Sequence, residues 1–288
     1  MIDIGRTVLR IFHRYNSNIV LIRLRGGIGN QLFIYFGGLY IGQSLGCKII
    51  FDTRGIDHQE SIEGMSLPGH FMSNRFFLKL VDIFFTTKSK VIDFDVQGIE
   101  AINTKMNFIV PVDGFFQSKT YYESIVELGT SFKGIYGNCL DPAKFDVSVD
   151  SALIHIRGGD FKILNEDVGC LGLAYYSEVR KIINLKGLRN IYVTTDDEDY
   201  ANQVLSDAGF REYIFLEKEG MRSYECLNYF RYFNTIFLAN STFSWWGAQL
   251  APNKANVYAP NIWFRKYSSD KNPLFCQNWI ALRSIWSD

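Results

Sequence analysis

The chain has 288 residues, 47% of them hydrophobic, enough apolar material to bury one large core or two ordinary ones. Lys plus Arg and Asp plus Glu balance at 30 each, which excludes a global positive field for nucleic acid or an anionic membrane and leaves any anion site to local residues. The five cysteines are odd in number, widely spaced and without a C-x-x-C pair, so they indicate neither a disulfide framework nor a zinc knuckle and fit a reducing, cytoplasmic setting.

Residues 1–18 read as an N-terminal extension in which Arg6, Arg10, His13 and Arg14 interrupt short apolar runs, unlike a signal peptide or a membrane span. They suit a loosely docked terminus or, at most, a peripheral helix at the inner face of a membrane. A strand over 19–24, a turn with Gly26, Gly27 and Gly29, a helix over 31–45 and a strand over 48–52 then make a βαβ unit. The stretch 53–69, with Gly55, Gly64, Pro68 and Gly69, reads as a loop on the acceptor side. Aromatic-rich segments over 76–85 and 108–117, and a helix opened by Tyr121 and Tyr122, complete a first domain over 19–145.

Around 138–149 the apolar pattern lapses into Gly137, Asn138, Asp141 and Pro142, the best place for an interdomain crossing. Alternation resumes over 146–288: strand 152–156, helix 175–184, strand 190–194, helix 198–208, strand 213–216, helix 223–232, strand 235–239. Such alternation predicts an α/β protein of two Rossmann-type domains, their mostly parallel sheets facing a ligand cleft.

Three segments carry candidate chemistry. His155 and Arg157 lie two apart at a strand's carboxyl end, so they share a face, and Gly158, Gly159 and Asp160 follow. The segment is either a ligand site or a structural Arg–Asp pair. Asn240, Ser241, Thr242 and Ser244 open a helix, which is either a plain N-cap or a pyrophosphate site at the positive end of a helix dipole, with Trp245 and Trp246 read as core. Gly27-x-Gly29 with Asp52 downstream superficially matches a dinucleotide fingerprint, but Leu32 stands in the third glycine position and Asn30 and Gln31 suit sugar hydroxyls or bracing. Thr194 to Asp199 is better read as a cap at Thr195 or Asp196 with acids in the first helical turn than as a metal site. His13, His58 and His70 have no metal-ligand spacing.

These segments, in this order, resemble the α-1,2-fucosyltransferases, glycosyltransferase family 11. Gly26 to Phe33 resembles the amino-terminal signature, Asp113 to Ser118 the G-Y-[FW]-Q-S segment, His155 to Asp160 the H-x-R-R-G-D motif, Thr195 to Asp197 the S-D-D segment and Ala239 to Ala248 the carboxy-terminal motif. The resemblance implies a GT-B-like fold and an inverting, metal-independent galactoside 2-α-L-fucosyltransferase of O-antigen or other glycan biosynthesis. Its partners would be GDP-fucose and a galactose-containing glycan, with no cofactor beyond the donor. It assigns His155 to the guanosine, Arg157 to the β-phosphate, the turn from Asn240 to Ser244 to the pyrophosphate, Glu225 as the acid expected before that turn, and Asn30 and Gln31 to the same site. Arg157, Asp160 and His155 are the catalytic candidates, Asp160 as acceptor base or as the group that orients Arg157. The family's second Arg is Gly158 here, which leaves a phosphate cation to be supplied by another residue such as Lys162 or Arg25. The alternatives are an NAD-dependent oxidoreductase using Gly27, Gly29 and Asp52, and a non-catalytic glycan-binding protein suggested by the 16% aromatic content.

Overall fold

The computed structural model describes residues 18–57, 61–65, 67–81, 91–103, 109–127, 129, 132, 147–217, 220–267, 272 and 274–287. The extension 1–17, His58, Cys139 and most of the expected interdomain crossing lie outside them. Backbone proximity divides the chain into two compact units, one of Met1–Gly26 with Asn30–Thr130, the other of Gly27–Gly29 with Ser131–Asp288.

In the first unit, β1 (Ile19–Arg23), β2 (Lys48–Asp52), β3 (Phe71–Met72), β4 (Ile92–Asp93) and β5 (Ile109–Asp113) form one sheet in the order β3-β2-β1-β5-β4, all pairs parallel. The Ile-Val-Leu-Ile run of β1 is buried throughout, as expected of a strand covered on both faces. Helix α1 (Ile28–Leu45) begins three residues before the expected start, and its consecutive residues Phe33, Ile34, Tyr35 and Phe36 are at most 1% exposed. It has no solvent face, so packing rather than amphipathicity positions it. Gly37 and Gly38 make room for rings: a Cβ at Gly37 would lie 2.6 Å from Phe116 Cγ, and one at Gly38 2.7 Å from Phe51 Cε1. Helices α2 (Arg75–Val81), α3 (Phe94–Asn103, interrupted by a non-helical Gly98) and α4 (Lys119–Glu127) complete the unit. The expected loop after β2 contains a 3-10 turn, Ile62–Met65, whose Ile62 and Met65 are buried.

The second unit has β6 (Ser151–Ile156), β7 (Asn190–Thr195), β8 (Ile214–Phe215), β9 (Thr235–Phe237), β10 (Asn256–Pro260) and β11 (Ile280–Leu282) in the order β11-β10-β9-β6-β7-β8, again all parallel. All six residues of β6 are buried. Ile154, Ile156, Val193 and Phe237 from the strands pack with Tyr175, Tyr176, Val179 and Ile183 of α5 (Leu173–Lys186) and with Ala201, Val204 and Leu205 of α6 (Glu198–Asp207). Tyr175 keeps its hydroxyl satisfied in this core by donating to the Leu238 carbonyl at 2.8 Å. The expected helix 223–232 is α7 (Ser223–Leu227) running into a 3-10 turn, Asn228–Tyr232, before α8 (Thr242–Leu250) follows β9.

In each sheet the first strand of the unit is central, with later strands added on both sides. The strand order reverses there, at β1 in one sheet and β6 in the other, and the carboxyl ends of such strands are where open α/β sheets take ligands. Among the described residues no helix is long and apolar enough to cross a membrane.

Candidate functional site

The carboxyl end of β6 gathers the first set of residues. His155 is 3% exposed and its ring stacks on Phe243 of α8 with centroids 5.3 Å apart. Burial first, and the neighbouring Arg157 second, push its pKa down to about 3, so the imidazole is neutral near pH 7. A neutral ring offers a hydrogen bond but is a weak proton carrier at that pH. Its Nδ1 is buried and has no partner among the described residues.

Arg157, next but one, is held rather than loose. Its Nη2 donates to Asp160 Oδ1 at 2.6 Å, its Nη1 lies 3.1 Å from Asp196 Oδ2, and its guanidinium sits 5.0 Å from the centroid of Phe161. The turn that follows is clasped by acids from the β7–α6 loop: the Gly158 N–H donates to Asp196 Oδ1 at 2.9 Å and the Gly159 N–H to Asp197 Oδ2 at 3.2 Å. Lys162 forms an ion pair with Asp197 that holds the Asp197 carboxyl below the usual range and raises the lysine's own pKa.

The cap of α6 is therefore Asp197, whose Oδ1 accepts the Tyr200 N–H at 3.0 Å, and neither Thr195 nor Asp196 as expected. Asp197 has extended backbone immediately before the helix, whereas the Asp196 side chain reaches across to β6. Among the described residues no group of three or more His, Cys, Asp or Glu is placed to hold a metal ion. Gly158 has φ −114°, so left-handed strain is not what keeps it glycine. A Cβ there would lie 2.8 Å from Asp197 Cβ and 2.9 Å from Tyr200 Cδ1, and this steric limit takes the place of the conformational one.

The start of α8 supplies the second set. Ser241 is its N-cap and accepts the Phe243 N–H at 3.3 Å, with the positive end of the helix dipole at that point. Thr242 opens the helix, half-buried. The buried Ser244 hydroxyl lies within hydrogen-bond distance of the Ala239 and Ser241 carbonyls, at 3.1 and 3.0 Å, so it serves the fold. Asn240 is a brace, its Nδ2 facing the carbonyls of Val168, Gly169 and Trp263 at 2.9 to 3.2 Å. Cys170, beside Gly169, donates its Sγ hydrogen to the Arg157 carbonyl at 3.4 Å, which joins the two sets through one loop. Trp245 and Trp246 are fully buried, in the core as read.

The remaining candidates sit apart. Glu225 accepts from the Arg222 backbone at 2.9 Å and from its guanidinium at 3.0 Å, and that arginine holds its carboxyl below the usual range. In the first unit Asn30 Oδ1 accepts from Gln117 Nε2 at 3.0 Å, and Gln31 spans from the Gly26 carbonyl at 2.8 Å to the Ile62 N–H at 3.2 Å. Arg25 pairs with Asp113 at 3.3 Å and stacks over Phe115. Asp52 is 1% exposed and both its oxygens accept from Arg54, at 2.7 to 3.1 Å.

One residue escaped the sequence reading. Glu217, just past β8, accepts the Thr195 N–H at 3.2 Å through Oε1, and its buried Oε2 has no partner among the described residues. Burial raises its pKa to about 8, with lesser contributions from Glu198 and Asp196, so the carboxyl is largely protonated at neutral pH. Its only signal in the sequence is an acid directly after an apolar strand.

No family model matches the chain. Over 292 aligned residues it is 24% identical to an alpha-1,2-colitosyltransferase of Escherichia coli, covering 92% of this chain and 99% of that protein. It is 29% identical over 144 residues to the O-antigen biosynthesis glycosyltransferase WbnK of Escherichia coli, covering 47% of this chain and 45% of that one. The crystal structure of a glycosyl transferase family 9 protein from Veillonella parvula matches with a TM-score of 0.52 at 10% identity, over 94% of this chain and 88% of that one. The relatives are glycosyltransferases, and the fold, α/β with two parallel sheets, is of the GT-B class.

Proposed function

We propose that the protein is a glycosyltransferase that moves L-fucose, or an analogue such as colitose, from a GDP-linked donor to the 2-hydroxyl of a galactoside, with inversion and without a metal. The observation that carries this reading is Arg157 at the carboxyl end of the central strand β6, with the amino end of α8 following the adjacent strand β9. Rupture of the sugar–phosphate bond puts negative charge on the departing diphosphate, and a guanidinium with a helix dipole beside it is the arrangement that stabilises such charge.

In the mechanism we infer, the β-phosphate takes the guanidinium edge that Asp160 occupies in the free enzyme. The carboxylate so released accepts the proton of the attacking galactose hydroxyl, on the face of the sugar opposite the leaving group. His155, neutral at working pH, offers a hydrogen bond to the nucleoside rather than a proton to the reaction. Ser241 and Thr242 meet the pyrophosphate at the helix start, while Asn240 and Ser244 hold that start in shape. The oxidoreductase alternative would use Asp52 to bind a ribose hydroxyl pair, and Arg54 already engages both oxygens of that carboxylate.

The test is calorimetric titration with GDP, GDP-fucose, GDP-colitose and NAD, followed by incubation with a panel of β-galactosides and assignment of the new linkage by NMR. Binding of the GDP-sugars and a product substituted at the galactose 2-hydroxyl is expected. Binding of NAD in place of GDP would overturn the reading.

A further inference from the structure

The carboxyl edge of the first sheet carries a charge pattern that the reaction above does not use. A shallow concavity of about 450 Å³ is lined by Arg23, Arg54, Gly55, Arg75 and Lys79, four cations and a glycine with no acid among the lining residues. Arg23 ends β1 and Arg54 follows β2, so two of the cations stand at adjacent strand ends where such a sheet takes its ligands. Arg75 and Lys79 are four apart on α2, hence on one helical face, where like charges repel.

The counter-charge nearby is Asp52, which lies beneath this surface. Arg54 takes it in a fork at 2.7 to 3.1 Å, and Arg23 stands 3.7 Å from the same carboxylate. One carboxylate facing two guanidiniums leaves Arg23 incompletely neutralised, with more than half of its side chain exposed. Arg75 and Lys79 are exposed and make no ion pair with the described residues. Repulsion among four cations destabilises this edge unless an anion shares them, and forked guanidiniums beside an ammonium match the oxygens of a phosphate ester.

We propose that this concavity binds a phosphate or diphosphate ester carried by the acceptor, so that the enzyme selects a galactoside attached to a phosphorylated carrier over a neutral one. The proposal rests on the transferase reading, in which this unit is the acceptor's side. The carrier is either a lipid headgroup or a soluble sugar phosphate, and the same oxyanion chemistry serves both.

The experiment uses the full chain and inorganic pyrophosphate as the probe, titrated in saturating GDP so that the donor's phosphate site is filled. The wild-type protein is expected to bind saturably. The Arg75→Glu/Lys79→Glu variant is expected to bind on the order of tenfold more weakly or worse, because two charge-assisted contacts are reversed. Both side chains are exposed, and Lys79→Glu alone serves if the double variant folds poorly. No saturable binding by the wild type, or equal binding by the variant, overturns the proposal. A preceding titration with GDP separates the two readings, since failure to bind GDP sinks the transferase reading while pyrophosphate still reports on the four cations. Sedimentation with phosphatidylcholine vesicles only when they carry a long-chain alkyl diphosphate, reversed by pyrophosphate, assigns the ester to a lipid. Binding of pyrophosphate and galactose 1-phosphate without sedimentation assigns it to a soluble acceptor.

Discussion

The two sheets share an all-parallel construction and a central first strand, yet their carboxyl edges treat positive charge in opposite ways. At the end of β6 every cation has an acid within reach: Arg157 has Asp160 and Asp196, and Lys162 has Asp197. At the end of β1 and β2 a single buried carboxylate, Asp52, serves Arg23 and Arg54, and the cations of α2 have none among the described residues. A paired edge holds its guanidinium in one geometry and yields it to a ligand that outcompetes a carboxylate. An underpaired edge attracts anions at longer range and holds them less selectively. The fold sets where ligands go, and the local supply of acids sets what kind of site each edge becomes.

The largest effect is expected from removing the paired cation. Arg157→Ala should cost about 2–4 kcal/mol of transition-state stabilisation, read as kcat/KM with GDP-fucose, and Arg157→Lys should recover little of it because the fork is lost. Turnover near the native value in Arg157→Ala would remove the β6 edge from the chemistry.

Glu217 sharpens the comparison from the side of stability. Its folded pKa of about 8 lies above the unfolded value of 4.5, so the folded state holds the extra proton and stability falls as pH rises through that window. His155 acts with the opposite sign: its folded pKa of about 3 lies below 6.5, so stability falls as pH drops through that range. Glu217→Gln should therefore abolish a loss on the order of a few kcal/mol between mildly acid and mildly alkaline pH, measured by urea unfolding at several pH values. An unchanged pH profile in the variant would mean that the acid is ionised in the fold.

A smaller effect is expected at Gly158, where the family resemblance would place a second arginine. Gly158→Arg must force its Cβ against Asp197 and Tyr200, 2.8 and 2.9 Å away, and should destabilise the fold by about 1–3 kcal/mol while loosening the clasp on Arg157. Donor affinity that rises with stability intact would show that the turn relaxes freely. The smallest expected effect is that of a chelator: EDTA should leave transfer unchanged, and activity restored by magnesium after chelation would reopen Asp196 and Asp197 as ligands.

The elements legible in the sequence are those whose cause is local. β1, β2, β6 and β7 are apolar runs between turn residues, and they appear within a residue or two of where periodicity puts them. The two-residue strands β3 and β4 carry no pattern of their own and exist through their neighbours. The motif at His155 to Asp160 was legible as a site because strand alternation puts His155 and Arg157 on one side. Its supports were not, since Asp196 and Asp197 reach it only through the pairing of β6 with β7. The same holds for Glu217, whose burial depends on Thr195, and for the cluster of Arg23, Arg54, Arg75 and Lys79, which the chain order scatters and the sheet edge gathers.

The clasp on the Gly158–Gly159 turn has a consequence for how a nucleotide is held. Consecutive glycine amides at a strand end are the usual makings of an anion nest, in which backbone N–H groups wrap a phosphate. Here both amides are spent on Asp196 and Asp197 before any donor arrives. A phosphate approaching this turn meets two carboxylates behind the glycines rather than two open amides, so the glycine backbone cannot cradle it without first breaking bonds to acids. Donor affinity must then come from the guanidinium and the helix start, and it should weaken with rising salt more steeply than in a protein that binds through amides alone.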